Sequence, residues 1–250
     1  MVQTRRLATI LTEMRFFALV FGVFLLFRTT AFAMYHIPSE SMLPTLAVGD
    51  RITVNKFAYG YSRHSVPFSL APRIGGDDGR LFGRLPDRGD IVVFKHPKTG
   101  EAYIKRVVGL PGDAVALRNG RLFINGVVAP RAPEASIAYR EHRGGVIRVT
   151  PYEEQLPAGR AHLIYERSDR AYADQFSEIT IPEDHLFVLG DNRDNSIDSR
   201  FLESGVGLMP VENLVGRADH LAFSTHRCRR EDGLSCLGRR WFSSLYDFSR

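Results

Sequence analysis

An unbroken apolar run close to the N-terminus constrains this chain more than any other feature. The run has the sequence FFALVFGVFLLF, from Phe16 to Phe27, and three arginines precede it at Arg5, Arg6 and Arg15. A basic start followed by an apolar core is typical of a membrane anchor or of a secretory signal peptide. Both interpretations bring the segment to a membrane and export the rest of the chain.

We interpret this segment as an anchor that is retained, although its strictly apolar core is short for a bilayer span. A membrane helix needs about 20 residues, and residues 16–35 reach that length if Arg28 extends to the lipid headgroups. A cleaved signal peptide is the alternative, because Ala31-Phe32-Ala33 is a small-x-small triplet and Ala33 would be its cleavage position. We predict a single-pass transmembrane anchor over residues 16–35.

The distribution of arginines predicts the orientation of that anchor. Positive charge precedes the apolar run, and no Lys or Arg occurs from Thr29 until Arg51. Because positively charged flanks stay on the cytoplasmic side, residues 1–15 are predicted to be cytoplasmic and the body of the protein to lie outside.

The overall composition is that of a globular protein with a basic surface. The 250 residues are 44% hydrophobic, which is enough for a sizeable core. A net charge of +5 and a pI near 9.4 favour an anionic partner. No nucleic-acid-binding motif accompanies the charge, which is spread along the chain. We therefore predict that the protein contacts a phospholipid bilayer and does not bind nucleic acid. Because nothing in the sequence suggests an obligate partner, we also predict a monomer.

Two cysteines, Cys228 and Cys236, occur near the C-terminus. An oxidising compartment would allow a disulfide between them, and two unpaired thiols are the alternative. No histidines stand at ligand spacing beside them, so they are a poor zinc site. We predict no metal and no cofactor.

Short alternating or β-branched runs predict that the body is mostly β. Polar and apolar residues alternate from Arg51 to Asn55, and Ile91–Phe94 and His185–Leu189 are apolar runs typical of buried strands. Two Asn-Gly pairs between Ala114 and Val128 indicate hairpin turns. The sequence thus predicts an antiparallel β-sheet domain behind the anchor.

Changes in composition divide this body. We predict a β core over residues 36–113 and 182–226, which carries the candidate catalytic segments described next, an inserted smaller β subdomain over residues 114–181, and a C-terminal tail over residues 227–250.

Three polar segments are candidates for chemistry. In the first, two serines stand between Pro38 and Pro44. The two prolines stiffen the backbone so that it can present a serine hydroxyl, and a plain linker is the alternative.

In the second segment, Lys105 lies in an apolar strand. If it points inward, burial lowers its pKa and the neutral amine can deprotonate a serine, whereas most strand lysines are solvated. The third segment, Gly190–Arg200, is either an Asx-rich turn or a loop whose Asp and Arg side chains hydrogen-bond to each other and hold it rigid beneath the catalytic groups.

Together these segments resemble the bacterial type I signal peptidases, the leader peptidase family with a serine–lysine dyad. Pro38–Leu46 is similar to the family's nucleophile box, and Gly49–Lys56 to the strand box that follows it. Arg88–Val92 together with the stretch around Lys105 is similar to the base-bearing box, and Gly190–Arg200 to the last box. The four boxes occur in the family's order behind an N-terminal apolar segment.

The resemblance implies roles for individual residues. Ser41 would be the nucleophile and Lys105 its general base. The Ser41 N–H and the Ser39 hydroxyl would hold the oxyanion, and Ser196 would orient the Lys105 amine. Structural support is implied for Asp191, Arg106, Asp198 and Arg200. Shallow apolar pockets for small substrate side chains would be lined by Ile37, Pro38, Leu46, Tyr103 and Ile104. Many members of the family carry glycine at the position of Glu40. The resemblance therefore does not define the substrate pocket beside Glu40 in detail.

The implied function is that of a membrane-bound serine endopeptidase that removes N-terminal signal peptides from exported preproteins. It would cut where small residues stand one and three positions before the scissile bond. The implied location is the bacterial inner membrane, with the catalytic domain on the periplasmic or extracytoplasmic side. The alternatives are a specialised membrane peptidase for one secreted substrate, a self-cleaving repressor-type protease with the same chemistry, and a non-catalytic membrane-tethered binding domain.

Overall fold

Most of the regular structure is antiparallel β-sheet, as the alternating runs predicted. The computed structural model describes residues 12–24, 31–62, 64, 80–142, 144–225, 233–237 and 240–246. The first nine strands are β1 Phe32–His36, β2 Asp50–Asn55, β3 Tyr61–Ser62, β4 Arg80–Leu81, β5 Ile91–Lys95, β6 Ala102–Gly109, β7 Ala114–Arg118, β8 Arg121–Ile124 and β9 Val127–Val128. The others are β10 Arg131–Pro133, β11 Ile137–Arg140, β12 Val146–Gln155, β13 Ala161–Glu166, β14 Phe176–Thr180, β15 His185–Leu189, β16 Met209–Pro210, β17 Leu214–Ser224 and β18 Trp241–Ser244. Short 3-10 helices cover Lys56–Tyr59, Tyr172–Asp174, Arg193–Asn195 and Val211–Asn213.

The main sheet has the order β1-β2-β17-β5-β6-β15-β16, with β18 paired to β17. Strand β2 alternates, so Ile52 and Val54 face the core with no exposed surface. Strand β5 is buried on both faces, as its unbroken apolar run predicted. Strand β6 lies between β5 and β15, so Lys105 is in the interior of the sheet rather than on an edge strand.

The strands between β6 and β15 form two smaller sheets. One has the order β14-β7-β8-β9, and the other has β12 paired with β10, β11 and β13. The Asn119-Gly120 and Asn125-Gly126 pairs turn β7 into β8 and β8 into β9, with all four residues at positive φ, as type I′ turns require. The first of these sheets shares an apolar cluster with Val108 of β6 and Phe187 of β15.

The segment predicted as a C-terminal tail contributes to the main sheet. Strand β18 pairs with β17 from Phe223↔Trp241 to His220↔Ser244. Cys236 is disulfide-bonded, and Cys228, the other cysteine of the chain, lies outside the described residues.

The N-terminal segment differs from its prediction in part. Residues 12–24 are helical and their apolar side chains, such as Phe16 and Phe17, are exposed. No helix among the described residues is long and apolar enough to cross a membrane. Residues 1–11 and 25–30, with Arg5, Arg6 and Arg28, lie outside the described residues.

The predicted anchor also ends too late, because Phe32–His36 is a strand. Each residue of β1 pairs with β2, from Phe32↔Asn55 to His36↔Arg51. The backbone groups of residues 32–35 are therefore used by the sheet and are not part of a helix.

Candidate active site

The segment between β1 and β2 presents Ser41 in a turn. Leu43 N–H donates to the Glu40 carbonyl at 3.0 Å, and Leu46 N–H donates to the Met42 carbonyl at 2.8 Å. Met42 and Leu46 have no exposed surface and pack in the apolar cluster formed by β2, β5 and β17 of the main sheet. Ser41 itself is 8% exposed, so its hydroxyl is almost withdrawn from solvent.

The Lys105 amine meets this hydroxyl. Its Nζ lies 2.6 Å from Ser41 Oγ and 3.0 Å from the carbonyl oxygen of Ile104, and Lys105 is 3% exposed. Burial lowers the pKa of Lys105 to about 8, with a further lowering from Arg200, against the opposing effect of Asp198 and Asp191. An appreciable fraction of the amine is therefore neutral near physiological pH and able to accept a proton.

The Ser39 hydroxyl stands beside the nucleophile, with its Oγ 3.3 Å from Ser41 Oγ. Within the described residues no backbone hydrogen bond uses the Ser41 N–H. Both groups could donate hydrogen bonds to the carbonyl oxygen of a substrate that becomes negatively charged when Ser41 attacks its carbon.

The role expected of Ser196 is not seen in this structure. Its hydroxyl is buried, and no hydrogen bond joins it to Lys105. The second partner of the Lys105 amine is instead the carbonyl of Ile104, because this carbonyl lies on the same strand directly beside it.

A buried ion pair lies behind the dyad. Arg106, the next residue on β6, donates through Nε and Nη2 to the two oxygens of Asp191 at 2.8 and 2.7 Å. Thr45 Oγ1 also donates to Asp191, at 2.5 Å, and Arg106 Nη1 reaches the Gly89 carbonyl at 2.8 Å. Arg106 and Asp191 are 2% and 1% exposed. This bidentate pair ties β6 to the loop after β15 and to the turn that carries Ser41, which we call the nucleophile turn after the role predicted for Ser41.

A second buried pair organises that loop. Arg200 donates through Nε and Nη2 to Asp198 at 2.8 and 2.9 Å, and Asp198 Oδ2 also accepts from the Gly190 N–H at 3.0 Å. Gly190 is needed for the close approach, since a Cβ there would lie 2.2 Å from Ser196 Oγ and 2.5 Å from the Ser41 carbonyl oxygen.

Some residues that support the site were not identified from the sequence. The Asn192 N–H donates to the Ser41 carbonyl at 3.1 Å, and its side-chain amide donates to the Glu40 carbonyl at 3.1 Å. Arg193 pairs with Glu154, and both are buried. The polar residues around Asn192 indicated a hydrogen-bonded loop. Nothing in the polar sequence around Glu154 indicated that Glu154 is the buried partner of Arg193.

Glu40 joins the nucleophile turn to the region between β11 and β12. Its carboxylate accepts from the His142 N–H at 2.7 Å and from the Asn195 side-chain amide at 3.4 Å. Beside it lies a groove of about 470 Å³ whose lining includes Leu43, Tyr139 and Leu237. Glu40 is thus a structural link between two parts of the chain.

The residues expected to line substrate pockets differ in exposure. Pro38 is exposed, and Tyr103 and Ile104 are half-buried, so these three present surface near the dyad. Ile37 and Leu46 are 2% and 0% exposed and belong to the apolar core. Core packing covers the side chains of Ile37 and Leu46 in this structure, and their contact with substrate stays a prediction.

The described residues contain one group of His, Cys, Asp or Glu side chains with metal-ligand spacing. It consists of Glu166, Asp174 and Asp194, and it does not include the dyad.

The sequence matches the family described as signal peptidase, peptidase S26, over residues 10–223. The chain belongs to this family. A signal peptidase I of Rickettsia conorii is 37% identical over 217 residues, which are 84% of this chain and 78% of that protein. A signal peptidase I of Pseudomonas aeruginosa is 41% identical over 212 residues, which are 81% of this chain and 68% of that protein. A solved signal peptidase I from Enterococcus faecalis is 28% identical, with a TM-score of 0.32, over 54% of this chain and 97% of that one.

Membership of the family agrees with the resemblance carried by the four sequence boxes. It makes the protein a serine peptidase.

Proposed function

We propose that this protein removes N-terminal signal peptides from exported preproteins, with Ser41 as nucleophile and Lys105 as general base. The observation that carries the proposal is the 2.6 Å contact between Lys105 Nζ and Ser41 Oγ in a site almost closed to solvent. A base must lie within hydrogen-bond reach of the proton it removes, and its pKa must lie near the working pH. A lysine with a pKa of about 8 meets both conditions.

The proton movements follow from this geometry. The neutral Lys105 amine takes the hydroxyl proton as Ser41 Oγ attacks the scissile carbonyl carbon. The ammonium then gives that proton to the departing amine as the peptide C–N bond breaks, which leaves an ester on Ser41. The amine next deprotonates a water that hydrolyses the ester, and the proton returns to Ser41 Oγ.

The oxyanion of each tetrahedral intermediate is assigned to the Ser41 N–H and the Ser39 hydroxyl. Support comes from the 3.3 Å separation of the two serine oxygens and from the unused Ser41 N–H. Donors already oriented towards developing charge stabilise the transition state with little reorganisation. We propose that Arg106, Asp191, Asp198 and Arg200 act by holding these groups in place.

Substrate selection is assigned to the surface beside Ser41. Pro38, Tyr103 and Ile104 are the members of the expected pockets with exposed area. Small pockets of this kind suit the small residues one and three positions before the cut.

We further propose that the N-terminal segment anchors the protein in the inner membrane, with its N-terminus in the cytoplasm. Because β1 starts at Phe32, the anchor is shortened to residues 16–31. As a helix it would be about 24 Å long, against a hydrocarbon thickness of about 30 Å, a mismatch that local bilayer thinning accommodates. The exposed phenylalanines of residues 12–24 support contact with lipid. Ser41 would then lie close to the depth at which an anchored preprotein presents its cleavage site.

The deciding experiment is cleavage of a preprotein in detergent by the wild type and by Ser41→Ala and Lys105→Met. Ser136→Ala, which removes an exposed hydroxyl, is the matched control. Circular dichroism checks that each variant is folded. We expect the wild type and the control to cut after a small-x-small triplet, and both site variants to lose at least about 10³-fold in rate. Near wild-type cutting by folded Lys105→Met would show that the base is elsewhere.

A further inference from the structure

Three carboxylates from separate parts of the chain converge next to the active-site loop. Glu166 ends β13, Asp174 lies in the 3-10 helix before β14, and Asp194 lies in the loop that carries Asp191 and Asp198. Each offers a ligand atom, and these atoms lie within 4.8 Å of one another. The dyad mechanism does not use any of the three.

Each of these carboxylates has one oxygen occupied and one free. Glu166 Oε2 is paired with Arg131 at 2.5 Å, Asp174 Oδ2 accepts from the Ala171 N–H at 2.6 Å, and Asp194 Oδ2 accepts from the Arg167 N–H at 2.7 Å. The other oxygens, Glu166 Oε1, Asp174 Oδ1 and Asp194 Oδ1, are buried and have no hydrogen-bond partner among the described residues. Glu166 is 3% exposed and Asp174 0%. A buried carboxylate oxygen without a partner is costly, and three of them together call for a shared positive ligand.

The surrounding cations do not supply that charge. Arg131 is committed to Glu166 Oε2 and to Asp169, the latter at 2.7 Å. Arg193 pairs with Glu154, and Arg200 is held by Asp198. In the described part of the chain, none of these arginines hydrogen-bonds to Glu166 Oε1, Asp174 Oδ1 or Asp194 Oδ1.

We propose that Glu166, Asp174 and Asp194 bind a divalent cation, with Ca²⁺ as the best match, through the three unpartnered oxygens. Oxygens within 4.8 Å of one another fit on a coordination shell with metal–oxygen distances of about 2.3–2.6 Å, the range for Ca²⁺. Carboxylates without His or Cys select hard cations rather than zinc or copper. Waters would complete the six to eight ligands that Ca²⁺ takes.

The ion would connect the inserted strands to the active-site loop. Asp194 is two residues before Ser196 and four before Asp198, whereas Glu166 and Asp174 belong to the region between β6 and β15. Binding would therefore hold the loop to the insert at a point that the Arg106–Asp191 pair does not reach. The prediction of no metal rested on Cys228 and Cys236, which have no histidines at ligand spacing, and did not consider these three carboxylates.

The test is calorimetric titration of CaCl₂ into the full chain in detergent, after EDTA treatment and removal of the chelator. We expect one ion per chain and a rise in Tm with Ca²⁺. In Asp174→Asn the affinity should fall at least about tenfold, since ligand charge sets Ca²⁺ affinity. Glu178→Gln is the control, because it removes an equal charge from an exposed position on neighbouring β14 and should bind as the wild type does.

Two outcomes would overturn the proposal. One is the absence of saturable heat and of any Tm change in the wild type up to about 10 mM Ca²⁺, well above the weakest natural protein sites. The other is unchanged affinity in Asp174→Asn. If that variant does not fold, Glu166→Gln replaces it, and the wild-type titration decides by itself whether an ion binds.

Discussion

Lys105 is an amine in the interior of a sheet, and its environment decides what it can do. Its charged form loses hydration on burial, and the carboxylates of Asp198 and Asp191 recover only part of that loss because each is already paired with an arginine. The result is a pKa lowered to about 8 from its usual 10.5. Lys105 thus reaches the range in which a lysine can alternate between base and acid during one catalytic cycle.

The pH dependence of catalysis should report this amine. Since the base must be neutral, kcat/KM should rise with pH through a midpoint near 8 and fall by about tenfold for each pH unit below it. Initial rates on a peptide substrate from pH 6 to 10 would measure the midpoint. The exposed variant Lys98→Met should keep the same profile, and a flat profile across this range would contradict the assignment of Lys105 as base.

The Arg106–Asp191 pair should contribute to stability in proportion to its burial. In Arg106→Met the Asp191 carboxylate stays buried without its bidentate partner, so the free energy of unfolding should fall by about 3–5 kcal/mol. Arg84→Met removes an arginine from an exposed pair and should cost less than about 1 kcal/mol. Urea unfolding of both variants measures the two changes in free energy of unfolding. Equal losses would show that the buried pair contributes no more to stability than the exposed pair does.

At the scale of elements, the loop after β15 is the part that assembles the site. It contacts the nucleophile turn through Asn192, strand β6 through Asp191 and strand β12 through Arg193. It fits against Ser41 only because Gly190 has no side chain. The loop and the turn therefore form one packed unit, although they are about 150 residues apart in the sequence.

Gly190→Ala should disturb both activity and stability. The added Cβ would meet Ser196 Oγ and the Ser41 carbonyl, and neither can move without shifting the nucleophile. We expect a stability loss of about 1–3 kcal/mol from overpacking and a loss of about 10²-fold in kcat/KM from misplacement of Ser41. The control is Gly145→Ala, at an exposed position where the new Cβ would meet only the flexible Glu141 carboxylate. Wild-type activity in folded Gly190→Ala would refute the close packing.

The elements with strong local signals were predictable from the sequence. The alternation in β2, the apolar runs of β5 and β15 and the two Asn-Gly turns all appear where the pattern indicated them. Local patterns did not predict β1, because Phe32–Tyr35 continues an apolar segment and the pairing with β2 that makes it a strand is not visible locally.

The site residues inside the four boxes could be identified from the sequence. The contacts that these residues make could be predicted only in part. The pairing of Lys105 with Ser41 was implied by the family resemblance, whereas the burial of Leu46 and the contact of Lys105 with the Ile104 carbonyl depend on side-chain packing. The buried Glu154–Arg193 pair joins positions that no local pattern connects.

At the scale of the whole molecule, an exposed apolar helix precedes a β body that has its own cores. Residues 12–24 present phenylalanine, leucine and valine side chains outward, whereas the sheets enclose separate apolar clusters. The β body therefore does not depend on residues 12–24 for its packing.

Removal of residues 1–30 should separate membrane attachment from folding. We expect the chain that starts at Ala31 to keep its β-sheet circular dichroism and to cleave a soluble peptide, because the dyad and its supports lie beyond this point. It should be lost from the membrane fraction, since the proposed anchor is gone. Fractionation after carbonate extraction measures this, and polyleucine in place of residues 16–27 is the control that should restore attachment. Membrane retention of the truncated chain would refute the anchor.

The strand order has a consequence for the newly made enzyme. The turn with Ser41 leads into β2 and Lys105 lies on β6, and the sheet joins these strands only through β17 and β5. Strand β17, Leu214–Ser224, follows both residues of the dyad in the sequence. The main sheet can therefore connect β2 to β5 and β6 only after β17 has been synthesised. We expect a newly made chain to lack peptidase activity until β17 has left the ribosome.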